Sequence, residues 1–205
     1  EIRFDFGGGI NDIFDMFFRG QQNRTRDVEI SIAIDFLEAV KGTTKELSLR
    51  VADNKNGGRK QENIKIKIPA GIDTGQAIKL EGKGEINQNG DRGDLYVRVQ
   101  VRSDSRFERE GSNIISKASI DMVDAALGTE IEVETISGKV KLKVPAGTQP
   151  GKVLKLSAKG MPIINTDRKG DHYVVIDISI PTKLSGKQKE ALQNYRANSK
   201  KKRFW

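Results

Sequence analysis

The 205-residue chain has no cysteine and only one histidine, His172. Disulfides and thiolate metal sites are therefore excluded, and an oxidising compartment has no support. A Ser/His/Asp set could be built only around His172, and a metal site there would lack companions at ligand spacing. Aromatic residues make up 6% of the chain, and hydrophobic residues 36% against 31% charged. So apolar-poor a composition allows only modest cores. No apolar run approaches the ~18 residues of a membrane-spanning helix. No basic stretch followed by an apolar run marks a secretion signal. A cytoplasmic protein with no membrane partner is expected. The chain does not begin with Met, so it reads as a fragment with its N-terminal part missing.

What is abundant is charge and repetition. The formal net charge is +8, which favours anionic or acidic partners but is silent about fold. The repetition fixes the architecture. Lys65-Ile66-Lys67-Ile68-Pro69-Ala70-Gly71, Gly75 and Lys79-Leu80-Glu81-Gly82-Lys83-Gly84 return 76 residues later as Lys141-Leu142-Lys143-Val144-Pro145-Ala146-Gly147, Gly151 and Lys155-Leu156-Ser157-Ala158-Lys159-Gly160. Ten of these 20 positions are identical. Asp35–Thr43 matches Asp121–Thr129 at a shift of 86, and Gly93–Val97 matches Gly170–Val174 at a shift of 77. Two tandem copies of one folding unit follow, with length changes confined to loops.

Period-two alternation marks the strands. It runs through Val28, Ile30, Ile32 and Ile34; Ile64, Ile66 and Ile68; Leu95, Val97, Val99 and Val101; Val140, Leu142 and Val144; and Ile176, Ile178 and Ile180. In the two Asp-to-Gly segments, the first residue caps and the last ends a short helix of one or two turns. The fold class is all-β: two similar β-sandwich domains, each with a short helix. Ser185 is a plausible N-cap for a terminal helix over Leu184–Asn198, whose thin apolar stripe of Leu184, Leu192 and Tyr195 calls for a partner surface. Residues 1–26 hold five of the eight Phe residues and a Gly7-Gly8-Gly9 run, which predicts a flexible arm with at most a short helix near Asn11–Phe18. The division is thus an arm (1–26), domain I (27–106), domain II (107–181), and a helix with a basic tail (182–205).

Catalytic motifs fail on inspection. Ser185-Gly186-Lys187 looks like the end of a phosphate loop, but Pro181 stands where its first glycine belongs. Gly82-Lys83-Gly84 lacks the third glycine of a dinucleotide fingerprint, Asn87 being there instead. His172 lies within a strand pattern, where a structural or surface role fits. No enzyme, cofactor or metal is expected. The Pro-Ala-Gly repeats set tight turns. Ile30, Ile32, Leu47 and Leu49 would face the same way in paired strands, as simple core or as a shallow groove for an extended peptide. The Lys200–Arg203 run is a solvated tail or a phosphate-binding one.

Together, Asp27–Gly42, Ile68–Gly75, Gly93–Val97, Phe107–Gly111, Ala125–Gly128 and Val144–Gly151 resemble the C-terminal client-binding region of DnaJ-type J-domain co-chaperones. The resemblance implies two stacked β-sandwiches, a homodimer formed through the C-terminal helix, and an arm like the end of the family's Gly/Phe linker. It places a client groove on domain I at Ile30, Ile32, Leu47 and Leu49, with Phe107 at one edge. It also implies that Lys45 and the basic loop at Arg59 and Lys60 receive an acidic tail of the partner, a DnaK-type ATPase chaperone. The His-Pro-Asp tripeptide of a J domain is absent, so no stimulation of that ATPase by this chain alone is expected. The zinc-binding Cys repeats are also absent; a short polar loop over Val51–Gln61 is expected where they would sit. The implied function is to bind unfolded polypeptide and deliver it to the ATPase. The alternatives are a non-specific DNA-binding protein of the same fold family and a purely structural dimerisation scaffold.

Overall fold

The computed structural model describes residues 27–53, 58–86 and 90–199. In chain order the elements are β1 (Val28–Ile34), α1 (Phe36–Lys41), β2 (Thr43–Asp53), β3 (Gly58–Ile68), β4 (Ala77–Leu80), β5 (Leu95–Val101), β6 (Glu108–Glu110), β7 (Asn113–Asp121), α2 (Met122–Leu127), β8 (Thr129–Thr135), β9 (Gly138–Val144), β10 (Val153–Leu156), β11 (His172–Ser179) and α3 (Gly186–Asn198). The duplication is visible in this order, since strand, short helix, hairpin, short strand and closing strand occur twice. Strands dominate, none of the sheets closes on itself, and the fold is all-β with short helices.

Sheet order is β1-β5-β4, β2-β3, β10-β11-β7-β6 and β8-β9. β1 runs parallel to β5, with Val28 opposite Leu95 and Ile34 opposite Val101. β2 and β3 form a long antiparallel hairpin, with Thr43 opposite Ile68 and Leu47 opposite Ile64. Alternation puts the aliphatics of each strand on one face. Ile34, Ile64, Ile66, Ile68, Ile78, Leu95, Val97 and Val99 are buried together, which is why the period-two reading found these strands.

The short helices arise from their termini rather than from their length. Glu38 Oε2 accepts the backbone N–H of Asp35 at 3.0 Å in α1. Asp121 accepts the N–H of Val123 at 2.8 Å in α2. Both end on a glycine with positive φ, Gly42 at 74° and Gly128 at 82°. A Cβ at either would press on the Pro-Ala-Gly turn of its own copy, at 3.0 Å from Ala70 N or 2.9 Å from Ala146 N. The turn amides in turn bond the helices, Gly71 N donating to Ala39 O at 2.7 Å and Gly147 N to Ala126 O at 3.2 Å. Helix-ending glycine and turn are therefore one device, used twice.

The described residues cluster into two units. The first takes the chain up to Ser116 together with Thr135–Gly138 and Lys155–Tyr173; the second takes Lys117–Glu134, Lys139–Leu154 and the chain from Val174. This division does not coincide with the boundary expected between 106 and 107. Phe107, Ile114, Ile136 and Met161 belong to the same buried cluster as Ile34 and Val97, so the segments carrying them join the first unit. The second unit buries Ile120, Ala125, Val133, Leu142, Val144, Val174 and Ile176.

Three local expectations need correction. Ile180 lies beyond the end of β11 and is 73% exposed, since Pro181 follows and the ladder has already stopped. The expected polar loop over Val51–Gln61 is largely strand, because β2 continues to Asp53 and β3 begins at Gly58. Arg59 and Lys60 are therefore strand residues rather than loop residues. The expected arm helix and the basic tail lie outside the described residues. α3 begins at Gly186 behind Ser185, which caps it reciprocally: Ser185 Oγ accepts from Gln188 N at 3.3 Å, and Ser185 N donates to Gln188 Oε1 at 2.8 Å.

Candidate polypeptide-binding site

In the first unit, β1 and β2 each end a sheet. Among the described residues, the edge of β1 away from β5 and the edge of β2 away from β3 carry no partner strand. Such an edge presents unpaired N–H and C=O groups, which can pair with another extended chain. On these two strands Ile30, Ile32, Leu47 and Leu49 are only half-buried, and all four pack on the same core cluster. The site therefore has a greasy floor and hydrogen-bonding edges, the two requirements for holding an extended segment.

The second copy provides a contrast. Its first strand, β7, has β6 paired to the corresponding edge, with Glu108 opposite Ile115, Arg109 opposite Ile114 and Glu110 opposite Asn113. By the shift of 86, Asn113–Ile115 corresponds to Asp27–Glu29 in the first copy. The edge that β1 leaves open is thus filled in the second copy by a short segment of the chain itself.

Ion pairs bracket the apolar stretch. Lys45 shares its face of β2 with Leu47 and Leu49, and its Nζ lies 2.5 Å from Glu38 Oε1 of α1. The hydrogen bond from Lys45, helped by the Asp35 N–H, holds the Glu38 carboxyl below the usual carboxylate range. At the other end Glu62, opposite Leu49, receives Lys83 Nζ at 2.8 Å and Arg92 Nη2 at 2.9 Å. Lys83 first and Arg92 second hold its carboxyl low. This cluster was missed from sequence, because Lys83 and Arg92 lie in a connection that carries no periodic signal.

The remaining expected site residues are dispersed. Lys45 stands opposite Ile66, whereas Arg59 and Lys60 stand opposite Ala52 and Val51. Six or seven residues of strand correspond to roughly 20 Å, so the three cations form no single cluster. Lys60 shares the face of Val51 and Leu49, and Arg59 is on the opposite face; both are exposed. Leu184 precedes α3, while Leu192 and Tyr195 lie three residues apart on it. Leu184 is 41% and Tyr195 74% exposed, and α3 buries no residue.

Phe107 is the residue expected at one edge of the groove. It is 6% exposed. Its ring stacks on Phe36 of α1, with centroids 6.1 Å apart and planes at 18°, and meets His172 edge-on at 5.9 Å. The Arg106 guanidinium lies 5.1 Å from the ring centroid. Phe107 is enclosed on these sides because it follows a turn tied by Asp104 and Arg106 and leads straight into β6. His172 is fully buried, with Nε2 2.7 Å from Ser116 Oγ. Burial lowers its pKa. Among the described residues no three acidic or histidine side chains form a cation site, and no helix is long and apolar enough to cross a membrane.

The model of the DnaJ C terminal domain matches residues 28–181. The chaperone protein DnaJ of Bacillus cereus (strain AH820) is 51% identical over 138 residues, covering 67% of this chain and 37% of that protein. The proteins of the same name from Bacillus anthracis (strain A0248) and Bacillus mycoides (strain KBAB4) match at the same identity over the same length. The chain thus spans little more than a third of the length of these relatives. With a matched region running from the first residue of β1 to just past β11, the chain belongs to the DnaJ C terminal domain family.

Proposed function

We propose that this chain is the client-binding part of a J-domain co-chaperone, holding unfolded polypeptide and passing it to a DnaK-type ATPase chaperone. The observation that carries the reading is the pair of open strand edges flanked by half-buried Ile30, Ile32, Leu47 and Leu49. An unfolded segment offers the two things this site lacks, a strand to complete the edge and aliphatic side chains to cover the floor. The work is binding without covalent chemistry, in the cytoplasm. Affinity per site is weak, because an extended client loses much conformational entropy on binding. A homodimer through Leu184 and, on the unburied α3, Leu192 and Tyr195 offsets this by presenting two sites together. Lys45 serves an acidic tail of the ATPase partner, exchanging Glu38 for the incoming carboxylate.

The test is capture of a fluorescein-labelled, permanently unfolded protein, followed by anisotropy across a salt series. Capture by the native chain that persists at moderate salt, and falls in Ile30→Lys and Leu47→Lys, supports the groove. Capture unchanged in both variants refutes it. Binding of duplex DNA that outcompetes the polypeptide and collapses with salt would favour the nucleic-acid alternative.

A further inference from the structure

The two copies differ at two corresponding positions. His172 occupies the position held in the first copy by Leu95, and Ser116 the position held by Ile30. Leu95 is fully buried, and so is His172. A position that an aliphatic fills without difficulty therefore carries the only imidazole of the chain. Among the described residues, that ring has one partner, Ser116 Oγ at Nε2, and Nδ1 has none. The neutral tautomer with its proton on Nε2 leaves just a lone pair unmatched. A protonated ring would put a charged N–H at Nδ1 into the same apolar surroundings with nothing to accept it, which is far more unfavourable.

We propose that His172 is an acid-sensitive latch on the first unit, whose protonation releases Phe107 and, through the Phe107–Phe36 stack, loosens α1 and the open edges on either side of it. The contacts form a continuous path. His172 meets Phe107 edge-on, Phe107 stacks on Phe36, and Phe36 is the first residue of the helix joining β1 to β2. Among the described residues, no neighbouring charge offsets the added proton. Asp171, adjacent in sequence, is bound to Lys155 at 2.6 Å and to the Ala158 N–H at 3.0 Å. Arg106, beside Phe107, is a cation and pairs with Asp104 at 2.8 Å. Asp35, beside Phe36, is exposed and pairs with Arg102 at 3.0 Å. Glu108 and Lys117, next to the two contact segments on β6 and β7, are exposed. Tyr173 is half-buried beside the ring in sequence.

The sign follows from burial. A histidine whose pKa is lower folded than unfolded contributes stability that is present above its ordinary value of about 6.5 and is lost as pH falls from there toward the folded value. Carboxylates with ordinary values near 4 titrate below this window. Between pH 6.5 and 5 the equilibrium constant for opening the first unit therefore rises by up to about tenfold per pH unit. The effect on polypeptide capture rests on the groove reading; the effect on stability does not.

The experiment is hydrogen exchange of the β5 amides at pH 7.5, 6.5, 5.8 and 5.2, with the native chain beside His172→Leu, the residue of the first copy. The expected result is an opening constant that climbs with acid in the native chain and stays flat in His172→Leu. Parallel profiles in the two overturn the latch. Should His172→Leu not fold, the lone imidazole is followed by NMR in the native chain. A resonance that stays neutral until the unit opens supports the latch, and one that titrates near 6.5 in the folded protein overturns it. Capture of the unfolded protein at the same pH values separates the two readings. Loss of capture with acid in the native chain, but not in His172→Leu, ties the latch to the groove. No capture at pH 7.5 sinks the groove and leaves the stability arm to judge the latch.

Discussion

Phe107 and Leu47 come from the same expectation, and the structure assigns them different work. Phe107 is 6% exposed and makes aromatic contacts on two sides, whereas Leu47 is half-buried on a strand with an open edge. Phe107→Ala leaves a ring-sized void, which costs about 3–5 kcal/mol. The lost stack and edge contact account for about 0.5–1.5 kcal/mol each beyond area burial. Fully burying a leucine is worth about 1.5–3 kcal/mol, so removing half-buried Leu47 in Leu47→Ser costs about 1 kcal/mol. Hydrogen exchange of the Ile34 and Val97 amides reads both, since it reports opening of this unit alone. Phe107→Ala is expected to shift opening by at least a hundredfold, about 2.7 kcal/mol, and Leu47→Ser by less than about tenfold. Polypeptide binding reverses the order once both variants are compared under conditions where each is folded: Leu47→Ser loses about 1–2 kcal/mol, or five- to thirtyfold in Kd. If Phe107→Ala opens no more easily than Leu47→Ser, the burial reasoning is wrong.

Other consequences are open to measurement. Gly84→Ala would put a Cβ 2.4 Å from Asp94 O, and Gly160→Ala one 2.5 Å from Asp171 O. Each is expected to lower the thermal midpoint clearly more than Gly75→Ala, whose Cβ meets nothing within 4 Å and which pays mainly the cost of positive φ, about 1–2 kcal/mol. Equal effects in calorimetry would refute the close-approach reasoning, since of the three only Gly75 has positive φ. Glu62 has its carboxyl held low by Lys83 and Arg92, so its contribution is present above about pH 4.3 and is lost as pH falls through the folded value. Glu62→Gln should flatten the acid limb of a urea-midpoint profile by under about 1 kcal/mol, given its partial exposure; an unchanged limb would exclude the cluster from stability. Removing the chain from Leu184 onward is expected to halve the mass found by light scattering, and an unaltered mass would place any self-association elsewhere.

Much of the fold was legible because it rests on short-range rules applied twice. Ile64, Ile66 and Ile68 alternate with lysines and are buried as the period requires. Asp35 to Gly42 and Asp121 to Gly128 became helices because capping and termination are local chemistry. The site was legible only in part. Sequence spacing shows that Ile30 and Leu47 sit in strands, but not which strand edges remain unpaired; that depends on long-range pairing. Arg59 and Lys60 looked like a loop because polar residues of a two-sided hairpin carry no apolar period. Phe107 was placed at a groove edge by resemblance alone, and nothing local foretells Phe36 and His172 around it. Glu62, Lys83 and Arg92 meet across 21 and 30 positions of chain, beyond any window.

An open β edge beside half-buried aliphatics is also what makes proteins aggregate. The second copy avoids the hazard by laying β6 on β7. The first copy keeps it within limits. β1 is seven residues long, and its outward residues Glu29, Ser31 and Ala33 break the apolar run. Glu38 with Lys45, and Glu62 with Lys83 and Arg92, close the two ends with fixed charge. A like copy of the chain brings the same charges, and its strands are already folded. An unfolded segment brings neither constraint. On the proposed reading, selectivity for non-native polypeptide would then come from what the rim refuses rather than from what the floor prefers.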